Sequence, residues 1–292
     1  MRTFQSIKVP TDKVDNVVNE SATWNTWSSE ARIFLKAWNK MCNELEEPKL
    51  VSLLGGKPYD YTFSFDPSKI TKGLRHDLKL FAESIYNLRV SKCIMFFSNL
   101  LDEDFDGRGL HFLFACLRDS LVKLTGDPMS ALYAPLGTTT NSVIHSAGAD
   151  FLLHADLYTP NILFNVFEDV TPDASGASLF LQTSSLCDIL VSIKTLSSMN
   201  INRILNCLTT VDRQDHYTEF FNLLHSREHK WVNELEDKLR TRQMRIKLEK
   251  GEGYLIHDRL WLHGREAPST PVTQKRLHRL IFNTKDIQKD RS

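Results

Sequence analysis

The sequence predicts one domain of the α+β class with a mainly β core: a β-sandwich or barrel, with helices before it and a helical insertion within it. Three observations lead there. The 292 residues contain no repeat, low-complexity tract or Pro/Gly/Ser-rich linker where a second domain would begin. From about Asn141 helical periodicity gives way to short apolar or alternating runs parted by Pro, Asp and Gly. Between about Leu186 and Arg242 the helical spacing returns, after which strand-like runs resume.

Taken in order, "SSEARIFLKAWNKMCNELEE" has a serine cap and apolar residues at helical spacing, predicting a helix from about Ser29 to Glu46. "ITKGLRHDLKLFAESIYNLRV" predicts a second helix. "GLHFLFACLRDSLVKLTGD" predicts a third, stopped by Gly126, Asp127 and Pro128. Between these two, "SKCIMFFSNL" is short, apolar and partly β-branched, and reads as a strand. "DFLLHADLY", "NILFNVFEDV" and "ASLFLQ" then read as consecutive strands, with "TPDASGA" as a turn cluster. The insertion carries "HYTEFFNLLHSREHKWVNELEDKL" as helix, and "MRIKLEK", "GYLIHD" and "KRLHRLIFN" close the chain as strands.

Composition narrows the functional classes. Lys and Arg number 36 and Asp and Glu number 36, so the chain lacks the basic excess of a protein that tracks phosphates, and no nucleic-acid partner is expected. The locally basic "DKLRTRQMRIK" reads as a solvated helix face. Five cysteines, odd in number and without a C-x-x-C pair, lie in apolar contexts and are expected as reduced core thiols. Neither a signal-peptide pattern nor a membrane-length apolar run is present, so the expected location is the cytoplasm, with no membrane partner. The sequence is silent on oligomeric state.

The chemistry centres on "FLLHADLY". Side chains alternate along a strand, so His154 and Asp156 present an imidazole and a carboxylate on one face. "GEGYLIHDRLWLHGREA" supplies a candidate partner: a glycine-rich turn, a short strand and His263 followed by a small residue, which lets backbone approach whatever the imidazole binds. Two imidazoles and one carboxylate on one face of an octahedron leave three positions open, which points to non-haem Fe(II) admitting a cosubstrate and oxygen. Magnesium or calcium would favour oxygen ligands, and a structural zinc site would close with four ligands.

With "HAD" at 154–156 and "LHGR" around His263, the chain resembles the Fe(II)- and 2-oxoglutarate-dependent oxygenases, and within them the taurine dioxygenase and clavaminate synthase-like group. The resemblance spans roughly residues 141–285 of a single oxygenase domain covering 1–292, with the insertion at about 186–242. It implies a double-stranded β-helix, or jelly roll, in which His154, Asp156 and His263 hold Fe(II), with 2-oxoglutarate and O2 as cosubstrates. It also implies an arginine downstream of the second histidine that grips the far carboxylate of 2-oxoglutarate through two parallel hydrogen bonds. Arg276 is the choice by its distance from His263. Arg279, on the opposite face of a regular strand, is the second candidate, and Ser178 stands near the family's hydroxyl donor, as serine where threonine is commoner. An aspartate at 156 leaves no vacancy for chloride, which favours hydroxylation or desaturation of a small organic molecule over halogenation. The insertion is expected as a lid or substrate wall.

A rival motif is "HSREH", a literal H-x-x-E-H in which His225 and His229, one turn apart on an expected helix, would bind zinc with Glu228 as base. The further acidic ligand such a peptidase needs, well downstream on another helix, has no counterpart in the strand-like chain end. A non-catalytic jelly-roll binding protein is the other alternative. Of the remaining histidines, His145 lies close enough to the triad strand to be a pocket candidate.

Overall fold

Four layers stack in the order helices, sheet, sheet, helices. The computed structural model describes residues 3–14, 20–52, 61–64, 66–87, 93–101, 106–125, 131–137, 151–156, 161–169, 176–209, 216–266 and 276–283. The first half runs β1 (Phe4–Ile7), β2 (Ala22–Trp27), α1 (Ser29–Asn43), β3 (Lys49–Ser52), β4 (Tyr61–Ser64), α2 (Lys72–Asn87), β5 (Ile94–Phe97), α3 (Gly107–Thr125) and β6 (Ala131–Gly137). Then come β7 (Phe151–His154), β8 (Asn161–Asp169) and β9 (Ser178–Gln182), followed by α4 (Thr183–Ser192), α5 (Ser198–Thr209), α6 (His216–His225) and α7 (Val232–Arg242). Strands β10 (Met244–Ile246), β11 (Gly253–His257), β12 (Trp261–Arg265) and β13 (Arg276–Asn283) complete the chain.

Nine strands form the larger sheet, in the order β1-β2-β5-β11-β8-β13-β6-β4-β3, and four form the smaller, β10-β9-β12-β7. Alternation along each strand decides what the two faces meet. In β9, Leu179 and Leu181 join the cluster built by α4 to α7, while Phe180 turns to the opposite sheet. There it meets Phe96 edge-on at 5.2 Å and Tyr254 at 4.9 Å, and with Trp261 these rings fill the space between the sheets. Burying each ring contributes about 2–3 kcal/mol. The larger sheet's outer face packs Phe97, Phe164 and Leu280 against α1, α2 and α3 through Trp38, Phe81 and Phe114.

Local signals account for the helices. Ser28 accepts a hydrogen bond from the Ala31 N–H and caps α1, whose Ala31, Phe34, Leu35, Trp38, Met41 and Cys42 form one buried stripe. All five cysteines are free thiols, three of them buried. Glycine is required at 251, where φ is +79° and a Cβ would lie 2.4 Å from the Leu101 carbonyl oxygen. At Gly253 a Cβ would lie 2.1 Å from the Asn165 carbonyl oxygen, so this glycine permits the close pairing of β11 with β8. No helix among the described residues is long and apolar enough to cross a membrane.

Two expectations need correction. The N-terminal half carries β1, β2, β3, β4 and β6 besides its helices and β5. β1 and β3 are edge strands of four residues each, and their short, mixed sequences leave too few alternations to read. The insertion is helical as expected, but its stretch "HYTEFFNLLHSREHKWVNELEDKL" is two helices, α6 and α7, broken after His225. His145, the turn residues 171–175 and the stop signal at Gly126–Pro128 lie outside the described residues.

Candidate metal centre

β7 and β12 are antiparallel neighbours in the smaller sheet, and their register sets His154 directly opposite His263. Side chains at such positions start about 5 Å apart, and the two rings lie 4.3 Å apart between centroids. Beyond the end of β7 the alternation continues for two residues. Ala155 is fully buried against the helix cluster, so Asp156 returns to the side of His154. Asp156 Oδ1 lies 3.4 Å from His154 Nε2, and Oδ2 lies 3.9 Å from His263 Nε2. One ligand atom from each residue lies within 4.8 Å of the others, and no other group of three or more His, Cys, Asp or Glu among the described residues converges so.

The hydrogen bonds fix which nitrogens face the centre. His154 Nδ1 lies 2.9 Å from the Leu152 carbonyl oxygen, so it carries the proton and Nε2 presents its lone pair towards Asp156. His263 is 3% exposed, and neither of its ring nitrogens has a hydrogen-bond partner. An imidazole buried in that state is costly. A cation at the centre relieves the cost, so the donor set of two nitrogens and one carboxylate oxygen fits a metal ion. Burial, aided by the neighbouring His154 and Arg279, drives the His263 pKa well below its ordinary value and keeps the ring neutral, as a ligand must be. For Asp156, burial pushes upward but is overcome by the Arg279 guanidinium and the neighbouring His154 and His263 rings. Its carboxyl is held well below the usual carboxylate range.

A polar row on the larger sheet supports the carboxylate. Tyr254, Asn165 and Arg279 are register neighbours on β11, β8 and β13. Arg279 Nε donates to Asn165 Oδ1 at 2.8 Å, and Nη1 reaches across the sandwich to Asp156 Oδ2 at 2.9 Å. Tyr254 also bonds Arg279, and burial pushes its phenol up to about 12. Below the metal group, Asp258 is fully buried and its Oδ1 accepts the Asp156 backbone N–H at 2.9 Å. Asn165, Tyr254 and Asp258 were missed by sequence reasoning. The one signal was a polar residue inside an apolar run, as in "NILFNVF".

The other expected residues fall as follows. Arg276 opens β13 opposite Gly137 and Asp169, and its side chain lies outside the described residues. Ser178 opens β9, is 5% exposed, and by alternation shares the face of Phe180 towards the larger sheet. The "HSREH" helix face is corrected: α6 ends at His225, whose Nε2 donates to the Leu153 carbonyl oxygen at 2.8 Å, while His229 stacks on Trp231 at 4.3 Å. The two imidazoles are thus engaged separately and do not sit one turn apart on a helix.

His225 yields a pH prediction. Burial lowers its pKa from 6.5 to about 4. The unfolded chain therefore binds a proton between those values that the folded chain refuses, so stability is full above about pH 6.5 and falls with pH below it. Between pH 7.5 and 5 the loss assignable to His225 is about 2 kcal/mol. His225→Gln, which keeps a donor for Leu153, is expected to remove that part of the pH dependence in urea unfolding.

Two sheets enclosing a His-Asp-His group with its ligand atoms turned to one point define a candidate mononuclear metal protein. No protein-family model matches the chain, and no curated protein matches it. Among solved structures, the chain is similar to an asparagine oxygenase in complex with Fe(II), 3-hydroxyasparagine and succinate, at TM-score 0.48 and 11% identity, over 89% of this chain and 93% of that one. It is similar also to the non-heme iron oxygenase OrfP in complex with Fe, at TM-score 0.43 and 11% identity over 91% and 95%. A third is PvcB, an Fe, alpha-ketoglutarate dependent oxygenase from an isonitrile synthetic pathway, at TM-score 0.40 and 12% identity over 69% and 79%. TM-scores below one half leave the geometry of the site to carry its function.

Proposed function

We propose that this chain is a single-domain Fe(II)- and 2-oxoglutarate-dependent oxygenase that hydroxylates or desaturates a small organic substrate, such as an amino acid or natural-product intermediate, with release of succinate and CO2. The observation that supports it most is the His154–Asp156–His263 group itself. Its members are two imidazoles and one carboxylate, a set that holds ferrous iron by one face and leaves the opposite face for other ligands. In this reading the sandwich is a double-stranded β-helix, and its five reduced thiols suit the cytoplasm.

Bound there, Fe(II) together with 2-oxoglutarate and O2 supplies the oxidising chemistry. The chain's own residues orient and enclose. His154 is fixed by Leu152, and Asp156 is fixed by Arg279 and by the Asp258 carboxylate beneath its backbone. Arg276, parted from the rest of β13 by a shift of register that interrupts the regular alternation, is assigned the far carboxylate of 2-oxoglutarate, with Ser178 as hydroxyl donor, and Arg279 as the second guanidinium of the site. α6 of the insertion is assigned to the substrate wall, supported by Tyr217, whose ring meets His154 edge-on at 6.0 Å.

Succinate release tests the reading. With Fe(II), 2-oxoglutarate and air, the protein is expected to form succinate above background when screened against amino acids and related small acids, and Asp156→Ala is expected to form none. A yield across the whole panel no greater than that of the Asp156→Ala protein would contradict it.

A further inference from the structure

The two metal-facing histidines are not equally supported. His154 has its orienting partner in place, the Leu152 carbonyl oxygen at 2.9 Å. His263 Nδ1 has no hydrogen-bond partner, and Asp258 Oδ1 lies 3.8 Å away, just beyond bonding reach. That same oxygen already accepts the backbone N–H of Asp156. We propose that Asp258 is the positioning carboxylate of this centre, joining two of its three ligands by holding the Asp156 backbone and, when a divalent cation draws His263 Nε2 inward, receiving the His263 Nδ1–H.

The inference rests on the metal-centre reading above and deepens it. A ligating imidazole needs its second nitrogen bonded to an acceptor to fix the ring's tautomer and raise its basicity, and a carboxylate does this most strongly. Asp258 is placed to do so without rearrangement of the chain. It sits in the turn linking β11 of the larger sheet to β12 of the smaller, closed by Leu260 N–H on the His257 carbonyl oxygen at 2.9 Å. The turn is held at both sides, since Arg259 Nη1 donates to the Leu208 carbonyl oxygen and the Thr183 hydroxyl to that of Arg259, each at 2.8 Å. Charge points the same way. Asp156 faces the Arg279 guanidinium and both imidazoles, and the fully buried Asp258 faces the His263 ring from its other side. A divalent cation at the centre brings positive charge beside both carboxylates at once.

The test is a Co(II) titration read by its visible absorption bands, which report coordination directly. Asp258→Asn keeps the size of the side chain and an oxygen for the Asp156 N–H but removes the charge facing His263. Compared with the native protein, it is expected to bind Co(II) about 10- to 100-fold more weakly, with altered bands. Thermal unfolding of the metal-free variant is expected to remain close to native. Equal affinity and identical bands would reduce Asp258 to a structural acceptor and overturn the proposal. A second measurement uses the native chain alone. The Zn(II)-loaded protein is expected to show a slowly exchanging, downfield His263 Nδ1–H proton resonance by NMR, and its absence would count equally against the proposal. Should the native chain bind neither Co(II) nor Zn(II), the metal-centre reading itself falls, which the first two outcomes leave standing.

Discussion

Replacing Arg279 by leucine is expected to destabilise the metal-free protein by on the order of 3 kcal/mol, because removing one partner of a buried ion pair leaves the other charge without its counter-ion. The side chain is 6% exposed and bridges the two sheets, bonding Asn165 on one and Asp156 by the other. Its loss strands both acceptors. Asp156, with its side chain 18% exposed, keeps some contact with water, which holds the effect to the lower part of the range for such pairs. Urea unfolding should show a lower midpoint with an unchanged slope. In the double variant with Asp156→Asn much of the loss should return, since no stranded charge then remains. A change within about 0.5 kcal/mol of native, typical of an ordinary surface position, would show that the pair holds nothing together.

Replacing His263 by alanine is expected to weaken divalent-metal binding by more than about 100-fold, beyond the effect of losing an outer-shell partner. Its fold should survive. In the metal-free chain the imidazole has no hydrogen bond to lose, and its removal ends the cost of two buried, unpartnered nitrogens. Equilibrium dialysis with Co(II) separates the outcomes. Binding that persists in His263→Ala would place the metal elsewhere, whereas His225→Ala should leave it intact, since that ring bonds the Leu153 carbonyl oxygen on the helix side of the sheet.

His154 and Asp156 were legible because strand alternation is a local rule, and it holds here even two residues past the end of β7. That His263 is their partner was legible only through its motif. The register placing it opposite His154 is a property of the folded sheet, set by sandwich packing of residues such as Phe180 and Trp261. The supporting row was hidden for the same reason. Tyr254, Asn165 and Arg279 come from three distant segments and become neighbours only through β11-β8-β13 pairing. Asp258 stands five residues before His263 in the quoted stretch, yet which ligand its oxygens would meet depends on the β11–β12 turn. The short edge strands and the break after His225 were lost to brevity: a four-residue strand or a one-turn interruption carries too little periodicity to read.

The most direct measurement is an anaerobic Fe(II) titration of the native chain followed by addition of 2-oxoglutarate. One Fe(II) per chain should bind, and a weak visible charge-transfer absorption should develop on adding 2-oxoglutarate. Both should vanish in His154→Ala, Asp156→Ala and His263→Ala alike. A native chain that takes up no Fe(II), or a His263→Ala protein that still binds one equivalent, would contradict the meeting of these three side chains around one metal.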